Sequence, residues 1–277
     1  MRIKQAETKG PNRVVNVASE SGKIDPMHQF QIEPLAHLQL FGYDISFTNS
    51  SLFMLLVLGA IWVFMAGGMK RQIVPGRWQM AVEGVSGFIN NMMSSSIGPE
   101  GKKYVPLAFT LFMFILVANF MGMMPFGIVP GVHPFTVTSH LTVTAVLALI
   151  SFSVVLVVGF WKHGFHFFSL FVPHGTPIWL LWLIPAIELF SFLIRPFSLA
   201  LRLFVAMTAG HVLMKVLAGF VINGLNADAI WVTPVVAIPS FILMIGITLL
   251  ELLVCAIQAY VFALLTSLYI NDAVNLH

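Results

Sequence analysis

Residues 234–270 form one apolar run that carries a single charged side chain, Glu251, and residues 177–222 form another with no polar loop to divide it. A helix rises 1.5 Å per residue, so the shorter run alone would be about 55 Å long as one helix. The hydrocarbon core of a bilayer is only about 30 Å thick. Two arrangements remain: each run folds into two short helices, or both are long helices lying strongly tilted. Pro185, Pro196 and Gly210 could kink the first run without breaking it. The rest of the composition agrees with a membrane setting. Hydrophobic residues make up 58% of the 277 positions and charged ones 9%, against roughly 25% charged in an ordinary soluble domain. With 14 Lys+Arg and 11 Asp+Glu, the chain could not cover a soluble surface of this size. That excludes a cytosolic enzyme, a nucleic-acid-binding domain and a disordered chain. The net charge of +3 suits basic loops and calls for no nucleic-acid partner. One cysteine, Cys255, rules out an intrachain disulfide framework and a multi-cysteine metal site.

Three shorter spans are expected, at about 47–69, 104–124 and 141–160, ahead of the long runs at 177–222 and 234–270. Segment 78–97 is different. Trp78, Val82, Val85, Phe88, Ile89, Met92 and Met93 recur at helical spacing, with Glu83, Ser86, Asn90 and Asn91 between them. A carboxylate and two amides at bilayer depth would be costly, so this segment is expected to lie in the interface as an amphipathic helix. The fold class is therefore an all-α polytopic membrane protein. It divides into a polar N-terminal tail and lead-in segment, 1–46, and a membrane domain, 47–277. Lys70, Arg71, Arg77, Lys102 and Lys103 flank the interfacial segment, and Lys162 sits in a loop on the same side. The loops 126–140 and 223–232 hold no Lys or Arg. The positive-inside rule then predicts an N-terminus outside and a C-terminus in the cytoplasm or matrix.

Ionisable groups inside a membrane segment are rare and mark ion paths or buried pairs. The two long runs hold four at apparent bilayer depth, Glu188, Arg202, His211 and Glu251, together with Gln258; Arg195 and Lys215 lie nearer the two surfaces. Arg202 is too deep to snorkel, unlike Arg195, and an arginine keeps its proton. It can act as a fixed positive charge that attracts a carboxylate and repels passing cations. Its own helix offers no obvious carboxylate neighbour, so a partner on another chain is expected. His211 lies nine residues further on, about 13 Å along a helix and on roughly the opposite face. An imidazole takes and releases protons near neutral pH, and His211 with Glu251 forms a candidate polar pair between the long runs. Gln258 shares a helix face with Glu251. Glu188 is fourteen residues before Arg202, on the same face and about 21 Å away. Asn119 adds a polar contact from the third apolar segment. The order of these groups suggests two half-paths separated by a fixed charge.

The stretch Ser198-Leu-Ala-Leu-Arg-Leu-Phe-Val-Ala-Met-Thr-Ala-Gly-His211 resembles the signature of the subunit a family of F-type ATP synthases. Supporting matches include Phe30-Gln-Ile-Glu-Pro34, Phe135-Thr-Val-Thr-Ser-His140, His163-Gly-Phe-His-Phe-Phe-Ser169, Leu249-Leu-Glu251 and Tyr269-Ile-Asn-Asp-Ala-Val-Asn-Leu-His277. Only about the first 25 residues lack a counterpart. The resemblance implies that the last two helices are long and nearly horizontal, and that Arg202 faces a ring of c subunits. It places Asn119, His211, Glu251 and Gln258 on an outer half-channel and Glu188 on an inner one. It implies no cofactor, peripheral-stalk b subunits as further partners, and a bacterial inner membrane, with the mitochondrial inner membrane as the alternative. Most members carry Asn four residues after the arginine; here Ala206 stands in its place, and it is given no site role. No Gly-rich phosphate loop ending in Lys-Ser/Thr occurs, so chemistry on ATP is expected elsewhere.

Overall fold

The computed structural model describes residues 34–36, 39–40, 43–44, 46–69, 74–124, 136–171, 182–226, 231 and 233–275, with backbone alone for those before 46 and for 168–171. Most of the polar tail expected over 1–46, and the loop residues Lys70, Arg71 and His174, lie outside these. Two short antiparallel ladders lead in, β1 (Pro34–Ala36) with β4 (Phe47–Thr48) and β2 (Gln39–Leu40) with β3 (Tyr43–Asp44). Six helices follow: α1 (Asn49–Gly68), α2 (Arg77–Ile97), α3 (Val105–Met123), α4 (Leu141–His163), α5 (Ile184–Leu225) and α6 (Ile238–Val274). Five of them, α2 excepted, are long and apolar enough to cross a membrane. The fold is all-α and polytopic.

The choice left open by the long apolar runs is settled by continuity. α5 holds 42 residues without a break, with Pro196 inside it, and α6 holds 37. A one-turn π-helix, Thr233–Ala237, precedes α6. The pair is antiparallel, in near-constant register from Met207–Cys255 to Gly224–Ala237. Arg195 reaches Asp272 near one end, Met207 meets Cys255, Gly210 faces Glu251, Met214 meets Thr248, and Gly224 abuts Ala237 at the other end. At about 63 and 55 Å these rods exceed a 30 Å hydrocarbon layer roughly twofold, and they fit it only strongly tilted.

α1 is capped by Thr48, whose side chain accepts a hydrogen bond from the Ser51 amide at 3.4 Å. α2 buries Val82, Ile89, Met92, Met93 and Ile97 on one stripe, while Glu83 and Asn91 stay exposed. Trp78 and Phe88, expected on the same apolar face, are half exposed. The Trp78 indole donates to the Phe64 carbonyl at 2.8 Å. A Cβ on Gly67 or Gly68 would collide with Trp78 or Val82, so the two glycines let α2 fold tightly back on the end of α1.

Contacts sort the helix ends. Lys162 at the end of α4 pairs with Glu100, just before α3, at 2.6 Å. His163 Nε2 lies 3.0 Å from the carbonyl of Val274 at the end of α6. The start of α1 packs at the opposite end, where Phe53 meets Val137 of the turn between α3 and α4. Lys102, Lys103 and Lys162 therefore share one end of the bundle.

Candidate functional site

The two faces of α5 differ. Arg202, near the middle of the helix, is exposed and has no hydrogen-bond or ion-pair partner among the described residues. Nine residues on, half a helical turn out of phase, His211 points inward and is 7% exposed. Nine steps of about 100° leave the two side chains about 180° apart, and that half turn is what separates surface from interior here.

His211 Nε2 stands 3.8 Å from Oε1 of Glu251, which α6 buries to 3% exposure. Neither carboxyl oxygen has a hydrogen-bond partner among the described residues. Burying an ionisable carboxyl with no hydrogen bond is expensive, and such groups cluster where protons or ions are handled. Close approach is made possible by Gly210, whose missing side chain leaves room for that carboxyl: a Cβ there would lie 2.5 Å from Glu251 Oε1.

A third element closes the cluster. The turn between α3 and α4 inserts Thr136, Thr138 and Ser139 into the bundle, all buried. Thr136 Oγ1 shares a 2.8 Å hydrogen bond with His211 Nε2. Thr138 donates to Asn119 Oδ1 at 2.7 Å, and Asn119, fully buried in α3, donates to the Cys255 carbonyl at 3.4 Å. Ser139 donates to the Thr136 carbonyl at 2.6 Å and accepts through its own carbonyl from Thr208 at 3.5 Å. Gly122 of α3 makes space for this turn, since a Cβ there would collide with the Thr136 side chain. The sequence offered a signal for the turn only as a family-like motif, 135–140. Its hydroxyls carry no charge and stand in a loop, so nothing in their spacing pointed to His211.

The structure thus brings His211 and Glu251 together, with Asn119 one contact away through the Thr136–Ser139 turn. Gln258 is half-buried two helical turns beyond Glu251. Glu188 is half-buried near the start of α5, and neither it nor Gln258 reaches another site residue by a hydrogen bond or ion pair among the described residues. Arg195, read as a snorkelling side chain, is instead held in place. It donates to Asp272 Oδ2 at 2.7 Å and lies over the rings of Phe192 and Tyr269, 5.5 and 5.0 Å from their centroids. Among the described residues no group of three or more His, Cys, Asp or Glu side chains could hold a metal ion.

These features define a multi-pass membrane protein that carries ionisable side chains both through its interior and, as Arg202, on an outer face. The profile of the ATP synthase A chain family matches residues 49–271, and the chain belongs to that family. It is 73% identical over 94% of its length to the ATP synthase subunit a of Rhizorhabdus wittichii, covering all of that protein. The corresponding protein of Sphingopyxis alaskensis is 65% identical, again over 94% of this chain and all of the relative. That of Rhodospirillum rubrum is 46% identical over 91% of this chain and 99% of the relative.

Proposed function

We propose that the chain is the proton-translocating stator subunit of an F-type ATP synthase, supplying two offset half-channels to a rotating ring of c subunits. The observation that carries this reading is the division of α5: an exposed guanidinium, unpaired among the described residues, on one face and a buried His211–Glu251 pair on the other. A proton entering from outside passes the His211–Glu251 cluster, with Asn119 and Gln258 lining the way, and neutralises a carboxylate on the ring. The neutral carboxyl can then turn through lipid, where a charged one would be costly. On return it meets the field of Arg202, which favours its ionised form, and the proton leaves past Glu188. Because Arg202 keeps its charge, it also repels protons that would cross directly from one half-path to the other.

This reading assigns no chemistry on ATP and no cofactor to the chain. Its partners are the c ring, the peripheral-stalk b subunits and membrane lipid. The basic end of the bundle, with Lys102, Lys103 and Lys162, faces the cytoplasm, which leaves the N-terminus outside. The bacterial relatives favour a bacterial inner membrane over the mitochondrial one. The test is Arg202→Ala in the assembled complex. ATP synthesis driven by a proton gradient should be abolished, and Arg202→Lys should restore charge without the forked geometry and recover little. Wild-type synthesis in Arg202→Ala membranes would overturn the reading.

A further inference from the structure

His211 Nε2 faces two partners at once, Thr136 Oγ1 at 2.8 Å and Glu251 Oε1 at 3.8 Å. Only the first distance is that of a hydrogen bond. One nitrogen, carrying at most one proton, cannot serve both fully. We infer that Thr136 is a positioning residue of the proton path: its hydroxyl parks the His211 imidazole short of Glu251, and each transfer requires the ring to leave the hydroxyl for the carboxyl. The inference rests on the proposed outer half-channel and adds to it a residue and a step.

A hydroxyl suits this task because it both donates and accepts. It can hold the neutral imidazole through a bare Nε2, and equally hold Nε2–H. A carboxylate in its place would bind the protonated ring too firmly to release it, and a methyl would leave Nε2 to Glu251 alone. The hydroxyl is also fixed from outside. Gly122 of α3 admits the Thr136 side chain where any larger residue would clash with it. Ser139 ties down the Thr136 carbonyl. The charged groups that act on His211 are Glu251 from α6 and Lys215 one turn on in α5, and His140 lies in the same turn as Thr136. Glu251 stands 3.8 Å from Nε2 and competes for it.

The experiment compares Thr136→Val, which keeps the shape and removes the hydroxyl, with Thr136→Ser, which keeps the hydroxyl. Proton flux through inverted membrane vesicles is normalised to assembled complex and followed across pH. Thr136→Val is expected to lower flux about threefold to tenfold, the scale of one lost hydrogen bond, and to displace the pH profile. Thr136→Ser should restore both. In a His211→Ala background, Thr136→Val should add nothing. A wild-type flux and profile in Thr136→Val overturns the inference, as does an equal defect in Thr136→Ser. If Thr136→Val fails to assemble, Thr136→Ala carries the same test, and a wild-type profile there counts equally against it. Failure of the wider reading looks different: His211→Ala and Glu251→Gln would then run at normal flux per complex.

Discussion

Replacing Gly210 by alanine adds one carbon where the neighbouring helix leaves no room for it. The new Cβ would lie 2.5 Å from Glu251 Oε1, 2.7 Å from its Cδ and 3.2 Å from its Cγ. Ordinary contacts begin near 3.4 Å, so the carboxyl must retreat by about 1 Å. Alanine favours the helix itself by about 1 kcal/mol, whereas overpacking costs about 1–3 kcal/mol. The net loss of stability is at most about 2 kcal/mol, small enough for the complex to assemble. Transfer between His211 and Glu251 is a different matter. The two already stand 3.8 Å apart, and a misplacement of this size costs up to about a hundredfold in a reacting pair. Gly210→Ala should therefore cut proton flux per assembled complex by at least about tenfold. The assay is quenching of a pH-sensitive dye in inverted vesicles, normalised by immunoblot. Gly59→Ala is the control, because α1 has nothing within 4 Å of that position and gains the same helix propensity. Normal flux in Gly210→Ala would refute the argument that this glycine sets the geometry of the pair.

Exchanging the pair, His211→Glu with Glu251→His, keeps both groups between the same helices. It should recover flux that His211→Ala and Glu251→Gln each lose, and an exchanged complex as inactive as the singles would count against relay. Glu100 is an exposed carboxyl held below its ordinary value by the hydrogen bond and charge of Lys162. That contribution is present above pH 4.5 and is lost as pH falls through the lowered value. Being exposed, it is small: Glu100→Gln should lower the melting temperature of the complex by no more than about 2 °C at pH 7, with the difference vanishing in strong acid. Single cysteines placed at the two ends of α2 should react with impermeant thiol reagents from one side of the membrane, and opposite-side labelling would invert every later span.

Much of the architecture could be read from the residues because the membrane punishes exceptions. Apolar runs set the five spans, and the Glu83 and Asn91 interruptions kept α2 out of them. Helical phase alone put Arg202 and His211 on opposite faces. Whether the long runs were hairpins or rods was not legible from spacing, since Pro185 and Pro196 permit either, and only the family resemblance implied rods; the unbroken helices α5 and α6 decide it. The candidate site was legible in its charged members and in the amides Asn119 and Gln258. The hydroxyls were not: Thr138 bonds Asn119 and Thr136 bonds His211 from a turn that sequence spacing treats as loop. Arg195 offered the same difficulty, because the carboxylate that holds it is 77 positions away.

The exposure of Arg202 has a consequence for the life of the protein before it is part of anything larger. A guanidinium midway along a membrane helix, facing outward without a counter-ion, costs at least about 3 kcal/mol in hydrocarbon. A newly inserted chain can escape that cost by drawing water and headgroups inward or by dissolving the packing around α5. Either route loosens the packing of the free chain around α5, and a carboxylate brought to that face would relieve the cost. On the proposed function, the stability of the isolated chain should therefore rise when its partner is supplied.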